Sequence, residues 1–157
     1  MFGGGPCTPG RDEIFGVFDS ILHKLAPLTA NCRDFNERWD GAAGLHEQGI
    51  GGRWEGEWVS EKTGHRGPLR CVVTVVSPGS WRLAFRASYS RVFRACYATD
   101  FTVQQESAGW RFTGGQDLGT LAGGVYDYTG HATLTAIVCR YKSARDHGEF
   151  RLRRVEF

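Results

Sequence analysis

The chain has 157 residues and a nearly even charge, with 19 Lys and Arg against 17 Asp and Glu and a formal net charge of +2. This length is enough for one domain with a hydrophobic core of its own. The even charge argues against a nucleic-acid partner, because a protein that binds mainly by neutralising the many phosphates of a nucleic-acid backbone has a marked excess of basic residues.

Apolar residues recur at steps of three and four over residues 12–25, which is typical of an amphipathic helix. They are Ile14, Phe18, Ile21 and Leu25. A second short helix is predicted over residues 31–40, where Phe35 and Trp39 lie four apart on one face. We therefore expect residues 1–50 to form a tail and a helical extension, which either caps the rest of the domain or joins two copies of the chain as a homodimer.

From Gly52 onward the apolar period changes from about 3.6 to about 2, and clusters of turn-forming residues divide the sequence. The clearest strand covers residues 81–90, where apolar and polar side chains alternate. Among the predicted turns are Gly114-Gly115 and Thr129-Gly130. We expect strands near residues 53–60, 69–76, 81–90, 95–103, 110–113, 118–128, 131–143 and 149–155.

Eight short strands with short connections predict a mostly β fold over residues 51–157. The expected architecture is an eight-stranded antiparallel up-and-down barrel with an N-terminal amphipathic helix. Closure removes unpaired edges and leaves an interior that side chains fill or that holds one small ligand. An open β-sandwich is the alternative. The barrel is favoured because strongly coiled strands need bends, and glycines lie inside one predicted strand at Gly119, Gly123 and Gly124.

The first strand reads Gly52-Arg53-Trp54-Glu55-Gly56-Glu57-Trp58. Its Gly-x-Trp entry resembles the signature of lipocalins within the calycin superfamily, and its continuation through Gly56 is similar to nitrobindin-type barrels. The resemblance implies a calycin-like barrel that holds a small molecule. In lipocalins the tryptophan stacks under an arginine of the last strand, so Trp54 is expected to lie beneath Arg151, Arg153 or Arg154. Nitrobindin-like barrels bind haem through a late histidine, which implies His131 or His147 as an alternative haem ligand.

Alternation places Trp54, Gly56 and Trp58 on one face, where Gly56 leaves a gap between two indoles. One interpretation is that a flat ligand lies in the gap, and the other is that a neighbouring strand approaches closely there. Asp127 and Arg140 stand among apolar positions, where a charge has to be paired, as a structural ion pair or as the polar end of a pocket. The predicted ligand-binding residues are Trp54, Trp58, Phe85, Tyr89, Tyr97, Phe101, Asp127 and Arg140.

Acidic residues and histidines collect at the first and last predicted turns of the barrel. They are Glu57, Glu61, His65 and Arg66 at the first turn, and Asp146, His147 and Glu149 at the last. If the barrel closes, the two groups meet as a metal site or as a general acid and base. The candidate catalytic residues are then His65, His147 and Glu149, and the other interpretation is a pair of solvated loops.

Five cysteines are an odd number without a C-x-x-C pair, and most lie in apolar runs, so we expect them to be reduced. Acidic residues interrupt the apolar pattern of the first thirty residues, and no apolar run is long enough to span a membrane. These features predict a soluble, cytoplasmic protein without a membrane span.

The sequence contains no nucleophile elbow, zinc-protease helix, P-loop or dinucleotide fingerprint, so the recognisable enzyme classes are disfavoured. The leading hypothesis is an intracellular binding module that holds a hydrophobic or amphipathic molecule in the barrel lumen, with no metal or other cofactor. The alternatives are a small hydrolase or isomerase with a His–carboxylate pair at the rim, and a haem-binding protein.

Overall fold

A computed structural model describes residues 31–43, 49–89, 93–117 and 125–155. Within these residues, one helix and eight strands follow one another along the chain: α1 Asn31–Gly41, β1 Gly52–Ser60, β2 Arg66–Ser77, β3 Ser80–Tyr89, β4 Phe93–Glu106, β5 Gly109–Asp117, β6 Val125–Ala132, β7 Ala136–Lys142 and β8 His147–Arg154. The predicted helix over residues 12–25 lies outside the described residues, whereas the predicted short helix over residues 31–40 is confirmed as α1.

The eight strands form a closed antiparallel barrel in which each strand pairs with the next in the chain. Strand β8 returns to β1, with Trp54 opposite Arg154 at one end of the pair and Ser60 opposite Gly148 at the other. The predicted mostly β, up-and-down barrel of eight strands is therefore confirmed, and the open sandwich is excluded. Burial alternates strictly along β6, from exposed Val125 to buried Ala132, as a strand with one face on a core requires.

Two predicted turns at glycines are wrong, because Gly114-Gly115 lies inside β5 and Thr129-Gly130 inside β6. A Cβ atom on Gly114 would sit 2.7 Å from the ring of Phe101, and one on Gly130 would overlap the ring of Phe112. These two glycines therefore leave room for aromatic rings inside the barrel. The turn that the sequence pattern placed at residues 129–130 instead follows β6, at residues 133–135.

The lumen and one outer face of the barrel bury separate groups of apolar side chains. Inside, a single cluster runs from Ile50 and Trp54 through the inward-facing residues of all eight strands. Outside, α1 covers β2, β3 and β4 with Phe35 and Trp39. The barrel residues beneath the helix are small and apolar, namely Val72, Ala84, Cys96 and Ala98. The described helix thus flanks the wall of the barrel rather than capping an end.

A disulfide joins Cys32 of α1 to Cys96 of β4, with 5.1 Å between the Cα atoms. The expectation that all five cysteines are reduced is therefore wrong for this pair. Cys96 points outward, so it faces the helix and not the lumen. Cys71 and Cys139 are free and buried in the lumen, where they act as small apolar residues.

The lower end of the barrel, where β1 begins and β8 ends, is closed around Trp54. The Arg154 guanidinium lies over the Trp54 ring at 5.3 Å from its centroid. It also donates hydrogen bonds to the carbonyl oxygens of Gly49 at 2.6 Å and Gly51 at 2.5 Å. Of the three arginines that the resemblance implied, Arg154 is thus the one that stacks on Trp54.

Replacing Arg154 with methionine should lower the free energy of unfolding by about 2 to 3 kcal/mol, because the carbonyls of Gly49 and Gly51 lose a charged donor. Urea denaturation followed by tryptophan fluorescence measures this loss. Arg153→Met is the matched control, since Arg153 is exposed and points outward on the same strand. Its effect should stay within about 0.5 kcal/mol, and an equal loss in both variants would contradict the role given to Arg154.

Candidate functional site at the upper end of the barrel

The barrel has two ends of different composition. The upper end is where β1 ends and β8 begins, and it carries the turns 61–65 and 143–146. Aromatic rings pack against one another in the part of the lumen that runs from the lower end to the middle of the barrel. Ring centroids lie 5.7 Å apart for Trp81 and Trp110, 5.3 Å for Phe101 and Phe112, and 5.3 Å for Phe85 and Phe150.

Three of the predicted ligand-binding residues belong to this packed core. Trp54 and Phe85 are 0 % exposed, and Phe101 is 1 % exposed with its edge against the Phe112 ring. Each makes contacts expected of a core residue. Their burial is therefore explained without a ligand, and a bound molecule would have to lie closer to the upper end.

Four tyrosines, Tyr97, Tyr126, Tyr128 and Tyr141, project into the upper half of the lumen, and we call them the tyrosine cluster. Tyr97 stacks on Phe85 at 5.1 Å and shares a hydrogen bond with Tyr128. Tyr126 faces Tyr141 at 6.5 Å between ring centroids. Tyr141 donates a hydrogen bond to the carbonyl oxygen of Val59 at 3.3 Å.

Burial raises the pKa of all four phenols, because the lumen disfavours the charged phenolate. For Tyr141 the negative charge of Asp146 raises the pKa further. The Tyr97 residue keeps some exposed surface, but its phenol is buried against Phe85. The tyrosine cluster is thus a group of neutral hydroxyls in apolar surroundings.

Polar side chains accompany the tyrosine cluster at the upper end. Ser60 donates a hydrogen bond from its hydroxyl to Asp146 Oδ1 at 2.7 Å, which ties the β1–β2 turn to the β7–β8 turn. Thr99, which is buried, donates to Gln116 Oε1 at 2.9 Å across β4 and β5. Two of the predicted ligand-binding residues lie at this end, namely Tyr97 of the tyrosine cluster and Trp58, whose indole N–H donates to the carbonyl oxygen of Ser88 at 3.1 Å.

The gap that Gly56 leaves between Trp54 and Trp58 is occupied by the neighbouring strand. A Cβ atom on Gly56 would overlap the carbonyl oxygen of Arg151 on β8. The interpretation of close strand approach is therefore confirmed, and the interpretation of a ligand in this gap is wrong.

Asp127 and Arg140 do not line the lumen, because their strands present Tyr126, Tyr128 and Cys139 inward and alternate residues outward. Both side chains are exposed. They also do not pair with each other, since Arg140 forms its ion pairs with Glu61 and Glu149. The predicted polar contact for a lumen ligand at these two residues is thus wrong. The side chain of Tyr89, another predicted contact, lies outside the described part of the structure.

The first and last turns meet at the rim, as closure of the barrel predicts. Arg140 binds Glu61 at 2.9 Å and Glu149 at 3.5 Å, and His147 Nε2 lies 3.8 Å from Glu61. A shallow groove of about 250 Å³ on the outer wall includes Glu61 and Glu149 in its lining. His65 lies in the β1–β2 turn, where its carbonyl accepts from the Ser60 amide at 2.8 Å.

This rim arrangement is solvated and already paired. The side chains of Arg140 and His147 are 60 % and 50 % exposed. In the part of the chain that the structure describes, no three His, Cys, Asp or Glu side chains are grouped to hold a metal ion. His131 also points outward, with its Nδ1 atom 3.7 Å from a carboxylate oxygen of Glu106. Neither His131 nor His147 therefore points into the lumen, where the predicted haem would have to bind.

Several residues of the upper end were not predicted as site residues from the sequence, namely Ser60, Thr99, Gln116, Tyr126, Tyr128 and Tyr141. The alternation in β6 contained a usable signal, because Tyr126 and Tyr128 are in phase with buried Ala132. The misplaced turn at residues 129–130 concealed that phase. Nothing in the local sequence indicates the contact between Ser60 and Asp146, because 86 residues separate them.

In comparisons with known proteins, no family model matches the chain and no curated protein matches it. Among the described residues, no helix combines the length and the apolar character that crossing a membrane requires. A function for the protein is therefore inferred from the geometry of the barrel.

Proposed function

We propose that the protein is a non-enzymatic, calycin-like binding module that takes a small, flat hydrophobic or amphipathic molecule at the tyrosine cluster. The observation that carries this proposal is the concentration of buried phenols at one end of an otherwise apolar lumen. Ligand sites in proteins commonly combine apolar walls with a few convergent polar groups. The Gly-x-Trp entry with Arg154 stacked on Trp54 supports the relation to calycins.

The packing of the lumen limits the ligand to a small molecule. The rings from Trp81 to Phe85 and Phe101 occupy the lower and middle lumen, which leaves the upper end for binding. Raised pKa values keep the phenols of the tyrosine cluster protonated, so an O–H that is not already bonded within the fold, as that of Tyr141 is to Val59, can donate to a ligand oxygen or nitrogen. Among the described inward-facing residues of this end, no basic side chain offers a counter-charge, which favours a neutral ligand.

Catalysis by a His–carboxylate pair has less support. Glu61, the carboxylate that faces the His147 imidazole, binds Arg140 through both of its oxygens at 2.9 and 3.0 Å. Its oxygens are thus already engaged, and His147 Nε2 lies 3.8 Å away, beyond hydrogen-bond distance. The cytoplasmic location and the homodimer remain predictions.

Titration with the neutral, flat fluorophore N-phenyl-1-naphthylamine tests the proposal. We expect saturable binding with a blue shift of emission, and Tyr128→Phe should weaken it by about fivefold because one hydrogen-bond donor is lost. Native mass spectrometry of protein purified from its own host should show a retained small molecule.

The matched control is Thr129→Val, which removes one hydroxyl from the adjacent, outward-facing residue of β6. It should bind the fluorophore as the unmodified protein does. Absence of saturable binding together with absence of a retained molecule would refute the proposal. Equal weakening by both variants would refute the assignment to the tyrosine cluster.

A further inference from the structure

Three arginines lie side by side on the outer wall, and we call Arg70, Arg86 and Arg94 the arginine row. Arg70 on β2 stands directly opposite Arg86 on β3. Arg94 on β4 stands opposite Ser88, which makes it the diagonal neighbour of Arg86. Directly opposite residues have Cβ atoms about 5 Å apart, and like charges in that position are destabilising. A negative charge bound beside the row would therefore be stabilising.

Most other outward arginines of the barrel have such a partner within the fold, whereas Arg53 and Arg153 form no ion pair with the described residues. Arg66 lies 3.8 Å from Glu57, Arg82 lies 3.2 Å from Asp100, and Arg111 lies 2.9 Å from Glu106, as measured between nitrogen and oxygen atoms. In the described ranges, no carboxylate comes within 4.0 Å of a guanidinium nitrogen of the arginine row. Even Glu55, which is opposite Arg70 in the register, forms no ion pair with it.

Helix α1 fixes two of the three guanidinium groups without neutralising them. Arg70 lies over the Trp39 ring at 4.9 Å, and Arg86 lies over the Phe35 ring at 5.6 Å. Arg86 also donates one hydrogen bond to Asn36 Oδ1 at 2.9 Å. A guanidinium has five N–H donors, so most donors of the row remain available. The pKa of Arg86 is lowered by burial and by the charges of Arg70 and Arg94.

We propose that the arginine row is a binding site for a phosphate group, carried by a phosphate monoester or diphosphate. Guanidinium planes pair with phosphate oxygens through two parallel hydrogen bonds, and a dianion would offset the repulsion within the row. The site lies on the outer wall beside α1, so it is independent of ligand binding in the lumen.

The test is titration with inorganic pyrophosphate at low salt, followed by arginine Nε–Hε signals in NMR and by calorimetry. We expect saturable binding that shifts the signals of Arg70 and Arg86. Arg94→Gln should weaken binding by about tenfold, because a charge-assisted hydrogen bond is lost. Without pyrophosphate, its unfolding temperature should be unchanged or higher, since Arg94 makes no described contact that its loss would break and repulsion with Arg86 is relieved.

Arg82→Gln is the matched control, because Arg82 is an outward arginine on the same wall that is already paired with Asp100. It should bind pyrophosphate within about twofold of the unmodified protein, as expected where no anion contact is lost. Equal weakening by both variants would indicate a diffuse charge effect and would overturn the proposal, as would absence of saturable binding to every phosphate probe.

A second arm identifies the source of the phosphate group. Vesicles of phosphatidylcholine with added phosphatidic acid present the same group on a lipid surface. Binding to these vesicles that Arg94→Gln abolishes would support the site and indicate a lipid headgroup. Binding to pyrophosphate without binding to vesicles would support the site and indicate a soluble phosphate compound.

Discussion

Reduction of the disulfide between Cys32 and Cys96 should lower the free energy of unfolding by about 4 kcal/mol. The cysteines are 64 residues apart in the chain, so the bond removes much of the freedom of the unfolded state. It also holds Phe35 and Trp39 of α1 against the outer wall of the barrel. Urea denaturation with and without a phosphine reductant, followed by circular dichroism, measures the difference.

The double variant Cys32→Ser/Cys96→Ser controls for other effects of the reductant. It should be destabilised like the reduced protein and should not respond further, although it retains Cys71 and Cys139. The intact mass of the oxidised chain should be lower than that of the reduced chain by two hydrogen atoms. Equal masses would show that the disulfide is absent. Thiol trapping in the host cell would also test the predicted cytoplasmic location, because disulfides are rare in the reducing cytosol.

Much of the barrel was predictable from the sequence because its physical cause is local. Alternation along residues 81–90 indicates a strand with one buried face, and β3 covers Ser80–Tyr89. Eight short strand-like segments with short connections favoured closure into a barrel over an open sandwich. The resemblance predicted that an arginine of the last strand stacks on Trp54, and Arg154 does so.

The wrong predictions concern residues whose structural role depends on tertiary contacts. Gly114 and Gly130 belong to the pairs Gly114-Gly115 and Thr129-Gly130, which are typical of turns. In the structure, however, the rings of Phe101 and Phe112 lie against these two glycines. The sequence does not reveal this, because the partners are on other strands. Cys96 has apolar neighbours in the sequence, and only the position of α1 on the outer wall shows that it meets Cys32.

The candidate site was predicted in part, and its charges were misplaced. Tyr97 was expected in the lumen, and the structure places it there beside Tyr128. Asp127 and Arg140 were expected to contribute polarity, but the phase of β6 and β7 turns both outward. In this barrel the polar groups of the tyrosine cluster are hydroxyls, which can be buried at less cost than charges.

Stability should fall steeply above about pH 8.5, because burial raises the pKa of two lumen thiols and of the four phenols of the tyrosine cluster. The thiols are those of Cys71 and Cys139. Below their unfolded pKa values, both the folded and the unfolded chain hold these protons, so stability does not depend on them. Above about pH 8.5 for the thiols and about pH 10 for the phenols, only the unfolded chain releases protons. Each group then removes up to about 1.4 kcal/mol per pH unit.

Denaturation midpoints from pH 7 to 11, with tyrosinate absorbance at 295 nm recorded alongside, measure this loss. The absorbance should rise together with unfolding and not before it. In Tyr97→Phe/Tyr128→Phe the decline above pH 10 should be shallower, whereas the thiol-dependent decline near pH 9 should be unchanged. Early ionisation of the phenols in a folded barrel would mean that water reaches the tyrosine cluster freely. Such a site would present phenolates at high pH and would lose the neutral hydrogen-bond donors on which binding of a neutral ligand depends.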